Sequence, residues 1–178
     1  GDWCFAICDV SRPTGNVYSL RQSLCKEAPM TNATLYKFGY PDMVIEEGPR
    51  WTVLLRPGQA TLGSLALVCK EPVHAFSKLS QQAFAELGVM TGHIERSLQK
   101  AFAFDKINYL MLMMVDPDVH FHVIPRYAQE RCFGGAIWLD AGWPGPPDLS
   151  RDNDMDDAVR DNLMQHLLSN WEWTHLSP

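Results

Sequence analysis

Two features are missing from the 178-residue sequence, and each absence excludes a class of protein. No apolar run approaches the roughly 20 residues that span a bilayer, so no membrane span is predicted. There is also no excess of positive charge, because 15 lysines and arginines stand against 21 aspartates and glutamates, giving a net charge of -6. The chain therefore has no overall positive field to hold a nucleic-acid backbone, whereas a free nucleotide needs only a local site.

The cysteines lack the spacing of a structural framework. They are Cys4, Cys8, Cys25, Cys69 and Cys132. Because they are odd in number, scattered and free of CxxC pairs, they argue against a disulfide framework and a structural zinc site. The opening segment GDWCFAICDV contains the acidic Asp2, and its apolar stretch is too short for a signal peptide. We therefore expect reduced thiols and a cytoplasmic protein.

The first 30 residues differ from the rest of the chain. They show weak hydrophobic periodicity and several turn formers, so residues 1–30 are expected to form an N-terminal extension. Residues 31–127 carry the strongest patterns and are expected to form the core domain. Residues 128–178 begin with a proline-rich loop and end in a helical pattern, which predicts a C-terminal loop and helix packed on the core.

The first part of the core domain predicts antiparallel strands. TLYKFGY at 34–40 alternates apolar and polar residues, and a turn at Pro41–Asp42 allows MVIEE at 43–47 to return as its partner. A hairpin is therefore expected. WTVLL at 51–55 and SLALVC at 64–69 are rich in strand formers and are expected to be adjacent antiparallel strands.

Helical patterns and further strands follow. Ser80 precedes an amphipathic pattern with apolar residues at three- and four-residue spacing, which predicts one long helix. INYLMLMMV at 107–115 and HFHVIP at 120–125 predict two strands, and a second helix is expected over 154–171. Because strands and helices do not alternate regularly, the sequence predicts an α+β domain. Its largely antiparallel sheet carries one long packed helix and a C-terminal helix.

The segment DVHFHVIPR at 118–126 carries the residues best suited to chemistry. In an extended strand Asp118, His120 and His122 point to one face and are expected to line a surface. Two imidazoles and a carboxylate at a spacing of about 7 Å suit a metal site, nucleophilic and acid–base chemistry, or an exposed polar strand face. The remaining histidines have no partner at a recognisable spacing and are expected to be exposed or packed. They are His74, His93, His166 and His175.

The string HFHVIPR follows a long helix, a strand and a turn containing Pro117. It resembles the last two histidines and following residues of the histidine triad (HIT) family of nucleotide hydrolases and transferases. More loosely, WTVLLRPGQATLGSLALVCKEPVHAFSKLS resembles that family's strand, glycine-containing turn, second strand and lead into its helix. The resemblance covers about residues 34–145, and VHFHVIPR is its specific part. It implies an α+β fold, a homodimer, and action on the α-phosphate of a nucleotide with no required metal or cofactor.

By position, the resemblance assigns His120 as the nucleophile that forms a nucleotidyl-histidine, and His122 as a phosphate-binding histidine. A neutral imidazole with an ordinary pKa of about 6.5 is free to attack phosphorus at cytoplasmic pH. The family's first histidine falls at position 118, where this chain has Asp118, and Leu54 stands roughly where other members carry a phosphate-contacting asparagine.

Asp118 has more than one interpretation. It either replaces the first histidine in the site or satisfies backbone donors in the turn DPD before the strand. As a charged site residue it is expected to disfavour polyanionic substrates and to raise the pKa of neighbouring imidazoles. As a protonated site residue it would instead deliver a proton to the leaving group.

The sequence therefore predicts a nucleotide hydrolase or nucleotidyl transferase in which Asp118, His120 and His122 form the site. The expected substrate is a nucleotide such as a dinucleoside polyphosphate or a nucleoside phosphoramidate. One alternative is a catalytically weak or inactive nucleotide-binding module. Another is a metal-binding protein that uses the Asp-x-His-x-His strand as its ligand set.

Overall fold

The structure is a computed structural model that describes residues 32–153 and 155–172. The expected N-terminal extension over residues 1–30 lies outside the described residues. In chain order the elements are α1 (Ala33–Lys37), β1 (Val44–Glu47), β2 (Trp51–Leu55), β3 (Leu65–Cys69), α2 (Gln81–Phe102), β4 (Lys106–Leu110), β5 (His120–Arg126), β6 (Arg131–Phe133), β7 (Ala136–Trp138) and α3 (Asp157–Asn170), with a 3₁₀ turn at Phe76–Lys78.

Five strands form one antiparallel sheet in the order β1-β2-β3-β5-β4, and β6 and β7 form a separate small hairpin. The predicted pairing of 51–55 with 64–69 is confirmed, since Trp51 lies opposite Cys69 and Leu55 opposite Leu65. β5 lies between β3 and β4, so both of its edges are hydrogen-bonded. The predicted α+β class with a largely antiparallel sheet is confirmed.

The main core lies between one face of the sheet and the helices α2 and α3. Trp51, Val53 and Leu55 of β2 are fully buried there, together with Ile94 of α2 and Leu163 of α3. α2 begins as predicted, because the Ser80 hydroxyl caps it by accepting a hydrogen bond from the Ala83 N–H at 3.0 Å. Over the described ranges, no helix combines the length and apolarity that crossing a membrane requires.

The predicted hairpin over 34–47 is wrong in its first half, because Ala33–Lys37 form helix α1. Asn32 caps this helix, and its side chain accepts a hydrogen bond from the Leu35 N–H at 3.0 Å. A turn is present at Pro41–Asp42 and β1 follows it, but β1 pairs with β2. Capping of the first helical turn therefore outweighs the alternation in TLYKFGY.

Three other predicted segments change in extent. The strand expected over 107–115 ends at Leu110, and the apolar residues after it are partly or largely exposed. The C-terminal helix is confirmed over Asp157–Asn170, with Asp156 as its cap. The expected loop after β5 contains the β6–β7 hairpin, whose Gly134 and Gly135 have φ of 61° and 80°. Two adjacent glycines with positive φ are typical of the tightest hairpin turns.

Candidate active site

β5 places His120 and His122 on the sheet face that is turned away from α2 and α3. His120 lies opposite Val68, and His122 lies opposite Ala66. This face carries a second apolar cluster of Leu35, Phe38, Leu54, Ala66 and Val68. The cluster joins α1 and the turn after it to β2 and β3.

The two histidines are buried, which corrects the expectation that they line a surface. His120 is 0% exposed and His122 is 8% exposed. The ring of Phe38 packs against both imidazoles, with centroid distances of 5.7 Å to His120 and 5.5 Å to His122. The two imidazoles lie 5.2 Å apart and nearly perpendicular. Burial occurs because Phe38 follows the unpredicted helix α1, which lies over this face.

A hydrogen bond to the backbone fixes the tautomer of His120. Its Nδ1 lies 2.7 Å from the carbonyl oxygen of Asp118. A carbonyl oxygen can only accept, so Nδ1 carries the proton and, in the neutral ring, Nε2 carries a lone pair. Nε2 is buried and has no hydrogen-bond partner among the described residues. The imidazole is therefore oriented with its basic nitrogen free.

His122 is uncharged at neutral pH. Burial is the main cause that lowers its pKa to about 4, and the neighbouring His120 and Arg56 contribute to the same shift. The expected rise in imidazole pKa beside Asp118 is therefore wrong for His122, because desolvation outweighs nearby negative charge. Its Nδ1 is buried without a hydrogen-bond partner in the described part of the chain. A neutral imidazole of this kind offers one N–H donor and one acceptor.

The Asp118 carboxylate is bound to helix α1. Its Oδ2 accepts hydrogen bonds from the Thr34 hydroxyl at 2.9 Å and from the Thr34 N–H at 3.3 Å. Its Oδ1 lies 3.5 Å from Nε2 of His74, whose side chain is 67% exposed. Asp118 thus satisfies a backbone donor 84 residues away in the chain, not one in its own turn. His74, which the sequence did not single out, lies beside it.

Polar atoms without a hydrogen-bond partner cluster on the sheet face that carries His120 and His122, here called the histidine face. Among the described residues, four buried side-chain nitrogen or oxygen atoms have no hydrogen-bond partner. They are Oγ1 of Thr52, Nε of Arg56, Nε2 of His120 and Nδ1 of His122. Thr52 lies opposite Val68, which lies opposite His120, so these three share a face. Arg56 continues the same alternation beyond Leu54.

A groove of about 530 Å³ runs along the same face of β4. Its floor includes Leu110, which lies opposite His122, and Asn108, which lies opposite Ile124. Trp143 and the prolines that follow it form a wall. The groove therefore begins one strand away from His122. It offers space for a part of a ligand that extends beyond the histidines.

The alternative of a metal site finds no support in the geometry. Within residues 32–153 and 155–172, no three His, Cys, Asp or Glu side chains converge as ligands for a metal ion. The Asp118 carboxylate is turned to Thr34, and the His120 Nδ1 is turned to a carbonyl oxygen.

The fold and the site together define a class of protein. It is an α+β domain in which a His-x-His pair on an inner antiparallel strand faces an apolar cluster, and the first imidazole is oriented by the backbone two residues before it. The sequence model of the HIT domain matches residues 40–129, which is half of the chain. The chain belongs to the HIT family, as the resemblance of HFHVIPR predicted.

Solved structures of histidine triad proteins share the fold. A protein from Sinorhizobium meliloti 1021 is 20% identical with a TM-score of 0.63, over 80% of this chain and 97% of that one. A protein from Marinobacter aquaeolei VT8 is 20% identical with a TM-score of 0.59, over 72% and 87%. A hypothetical histidine triad nucleotide-binding protein from Sulfolobus tokodaii strain 7 is 15% identical with a TM-score of 0.54, over 72% and 82%. A search of curated protein sequences found no match.

Proposed function

We propose that this protein is a nucleotide hydrolase or nucleotidyl transferase in which Nε2 of His120 attacks the α-phosphorus. The observation that carries the proposal is the 2.7 Å contact between His120 Nδ1 and the Asp118 carbonyl oxygen. It leaves a lone pair on a buried, unpartnered Nε2. Membership of the HIT family and a fold shared with a histidine triad nucleotide-binding protein support a nucleotide as the ligand.

The proposed reaction has two displacements at phosphorus. In the first, a bond forms between Nε2 and the α-phosphorus, and the leaving group departs with the electron pair of its bond. The Nδ1 proton stays in its hydrogen bond to the Asp118 carbonyl. In the second, the oxygen of water or another acceptor attacks phosphorus, the acceptor loses a proton, and the N–P electron pair returns to Nε2. Neither step assigns a role to a metal or cofactor.

His122 and Asp118 have different roles in this proposal. A neutral His122 donates one hydrogen bond to a non-bridging phosphate oxygen as negative charge develops. The carboxylate of Asp118 accepts from Thr34 and positions helix α1, while its carbonyl orients His120. We assign Asp118 as a positioning residue in place of the family's first histidine. A homodimer and a cytoplasmic location belong to the same proposal.

The second candidate is a nucleotide-binding module without turnover. The burial of His120 favours it, because a nucleophile at 0% exposure meets substrate only after the groups over it move. One assay separates the candidates: purified protein is incubated with dinucleoside polyphosphates and nucleoside phosphoramidates, and products are followed by chromatography. Binding without product formation would support the module.

The nucleophile is tested with His120→Asn, which keeps a polar side chain of similar size. We expect it to lose turnover by more than about 1,000-fold, while nucleotide binding persists. Mass spectrometry under alkaline conditions, where phosphohistidine survives, should find a nucleoside monophosphate on His120 of the wild-type protein. His166→Asn is the matched control, since His166 lies on α3 and contacts the Ala101 carbonyl oxygen at 3.1 Å. Equal rates in both variants would refute the mechanism.

A further inference from the structure

Arg56 stands on the histidine face without a role in the reaction described above. Its N–H donates to the Ser64 carbonyl oxygen at 3.1 Å, so the β2–β3 ladder extends one residue beyond β2. Leu54 lies opposite Ala66, which lies opposite His122. Arg56 is thus two strands across and two residues along from His122. Sheet spacings place their Cα atoms about 12 Å apart.

The hydrogen bonding of the Arg56 guanidinium is incomplete. Its Nη1 donates to the Gly58 carbonyl oxygen, and to Asp152 Oδ1 at 3.0 Å. Its Nε is buried and has no acceptor among the described residues. Leaving a buried donor of a charged group without an acceptor costs free energy. The unpaired Nε of Arg56 therefore needs a specific explanation. An anionic ligand beside the histidines would supply the acceptor.

Two other cations near this face, Lys37 and Arg126, are already paired with carboxylates. Lys37 contacts both oxygens of Asp116, at 2.7 and 2.8 Å. Arg126 contacts both oxygens of Asp140, at 2.6 and 3.1 Å, and that carboxylate is 1% exposed. Arg56 has one contact with one carboxylate, and Asp152 is 49% exposed. Of these three cations, Arg56 is therefore the one that a ligand can most readily recruit.

We infer that Arg56 binds the phosphates of the leaving group, so that the substrates are nucleotides with a polyphosphate leaving group. The inference rests on the proposed function and names its substrate class. The guanidinium fork matches phosphate oxygens and makes strong, charge-assisted hydrogen bonds to them. A polyphosphate also departs as a stable anion, whereas an amine must gain a proton. This suits a site in which Asp118 accepts hydrogen bonds and His122 is neutral.

Asp152 is then a competitor of the substrate. In the structure it pairs with Arg56 from an exposed position, and a bound phosphate chain would take over part of that pairing. Removing the Asp152 charge should therefore strengthen phosphate binding, whereas removing the Arg56 charge should weaken it. The two substitutions move affinity in opposite directions. Damage to the fold would not produce that pattern.

The experiment compares Arg56→Gln, Arg56→Lys and Asp152→Asn, each combined with His120→Asn so that no turnover occurs. Isothermal titration calorimetry measures the affinity for a nucleoside and for its mono- and triphosphate, with inorganic tripolyphosphate as a probe that needs no base. The control is Arg96→Gln, because Arg96 on α2 also holds a single carboxylate, Glu172, through its Nε at 3.1 Å.

For Arg56→Gln we expect triphosphate and tripolyphosphate to bind about 10- to 100-fold more weakly, with nucleoside binding unchanged. Arg56→Lys should lose less affinity, because the charge remains without the planar fork. The inference is overturned if Arg56→Gln binds triphosphate with the same affinity as Arg96→Gln. It is also overturned if Arg56→Gln weakens the binding of nucleoside and of triphosphate by the same factor. If Arg56→Gln does not fold, the test rests on Asp152→Asn, which should bind tripolyphosphate more tightly. Unchanged or weaker tripolyphosphate binding by Asp152→Asn would refute the inference. Turnover that depends on His120 but not on Arg56 would leave the proposed function standing.

Discussion

The hydroxyl of Thr34 donates a 2.9 Å hydrogen bond to the carboxylate of Asp118, across 84 positions of the chain. Through it, helix α1 is fastened to the turn that precedes β5. The ring of Phe38, just after that helix, then lies against both imidazoles. Asp118 thus holds in place the helix whose following residue, Phe38, covers the two histidines.

Separate and combined removal of the two partners tests this fastening. Thr34→Val and Asp118→Ala should each lower the free energy of unfolding, and the double variant should lose less than their sum. A coupling of about 1.5–3 kcal/mol is expected for a hydrogen bond to a charged group. Urea denaturation measures it. Thr91→Val is the control, since the Thr91 hydroxyl donates to Gly88 within α2. If the double variant loses the sum of the two single losses in unfolding free energy, Thr34 and Asp118 do not stabilise each other.

Asp118→Asn separates the roles considered for the Asp118 side chain. The amide keeps an acceptor for Thr34 but removes the negative charge. If Asp118 is a positioning residue, we expect turnover of a dinucleoside polyphosphate and of a phosphoramidate to change by the same factor, below about tenfold. If the Asp118 charge instead repels anionic substrates, turnover of the polyphosphate should rise while turnover of the phosphoramidate does not. A proton-donor role predicts losses close to those of His120→Asn. Steady-state rates on both substrates decide.

Acid should destabilise the protein through His122. Its pKa of about 4 lies below the ordinary value, so between pH 6.5 and 4 the unfolded chain binds a proton that the folded chain does not. The contribution of His122 to stability is therefore fully present above about pH 6.5 and is lost as the pH drops through this window, by at most about 3 kcal/mol. Urea denaturation at pH 7 and pH 4.5 should show a smaller loss in His122→Gln than in wild type. An equal loss would contradict a buried, neutral His122.

The turn between β4 and β5 predicts where a second copy of the chain binds. Met114 is 96% exposed and Val115 81%, beside the edge strand β4. Exposed apolar residues next to a free strand edge favour association. Light scattering should report a homodimer at micromolar concentration, and Met114→Glu with Val115→Lys should shift it toward monomer. Ile137→Glu, at a 61% exposed position on β7, is the control and should leave the dimer intact.

Much of the fold followed from local patterns in the sequence. The strands at 51–55 and 64–69 and the helix after Ser80 each show one dominant periodicity, and no competing long-range contact changes them. The histidine strand was predictable because HFHVIPR combines alternation with a specific string. These elements are confirmed because local preference and tertiary packing agree.

The parts that were missed depend on contacts between distant positions. The first half of TLYKFGY is helical because Asn32 and Asp118 both supply acceptors to the first turn of α1, and no local pattern reveals the second of these. The burial of His120 follows from that helix. Arg56 was not identified because an arginine after a strand is ordinary in sequence, and only its unpartnered Nε distinguishes it.

The contact of Phe38 with both imidazoles has a kinetic consequence. His120 is fully buried in this conformation, so a nucleotide reaches it only from a conformation in which the covering groups have moved. The measured affinity is then the intrinsic affinity multiplied by the fraction of molecules in that state. In rapid-mixing experiments the observed association rate should level off at high ligand concentration, at the rate at which this cover opens.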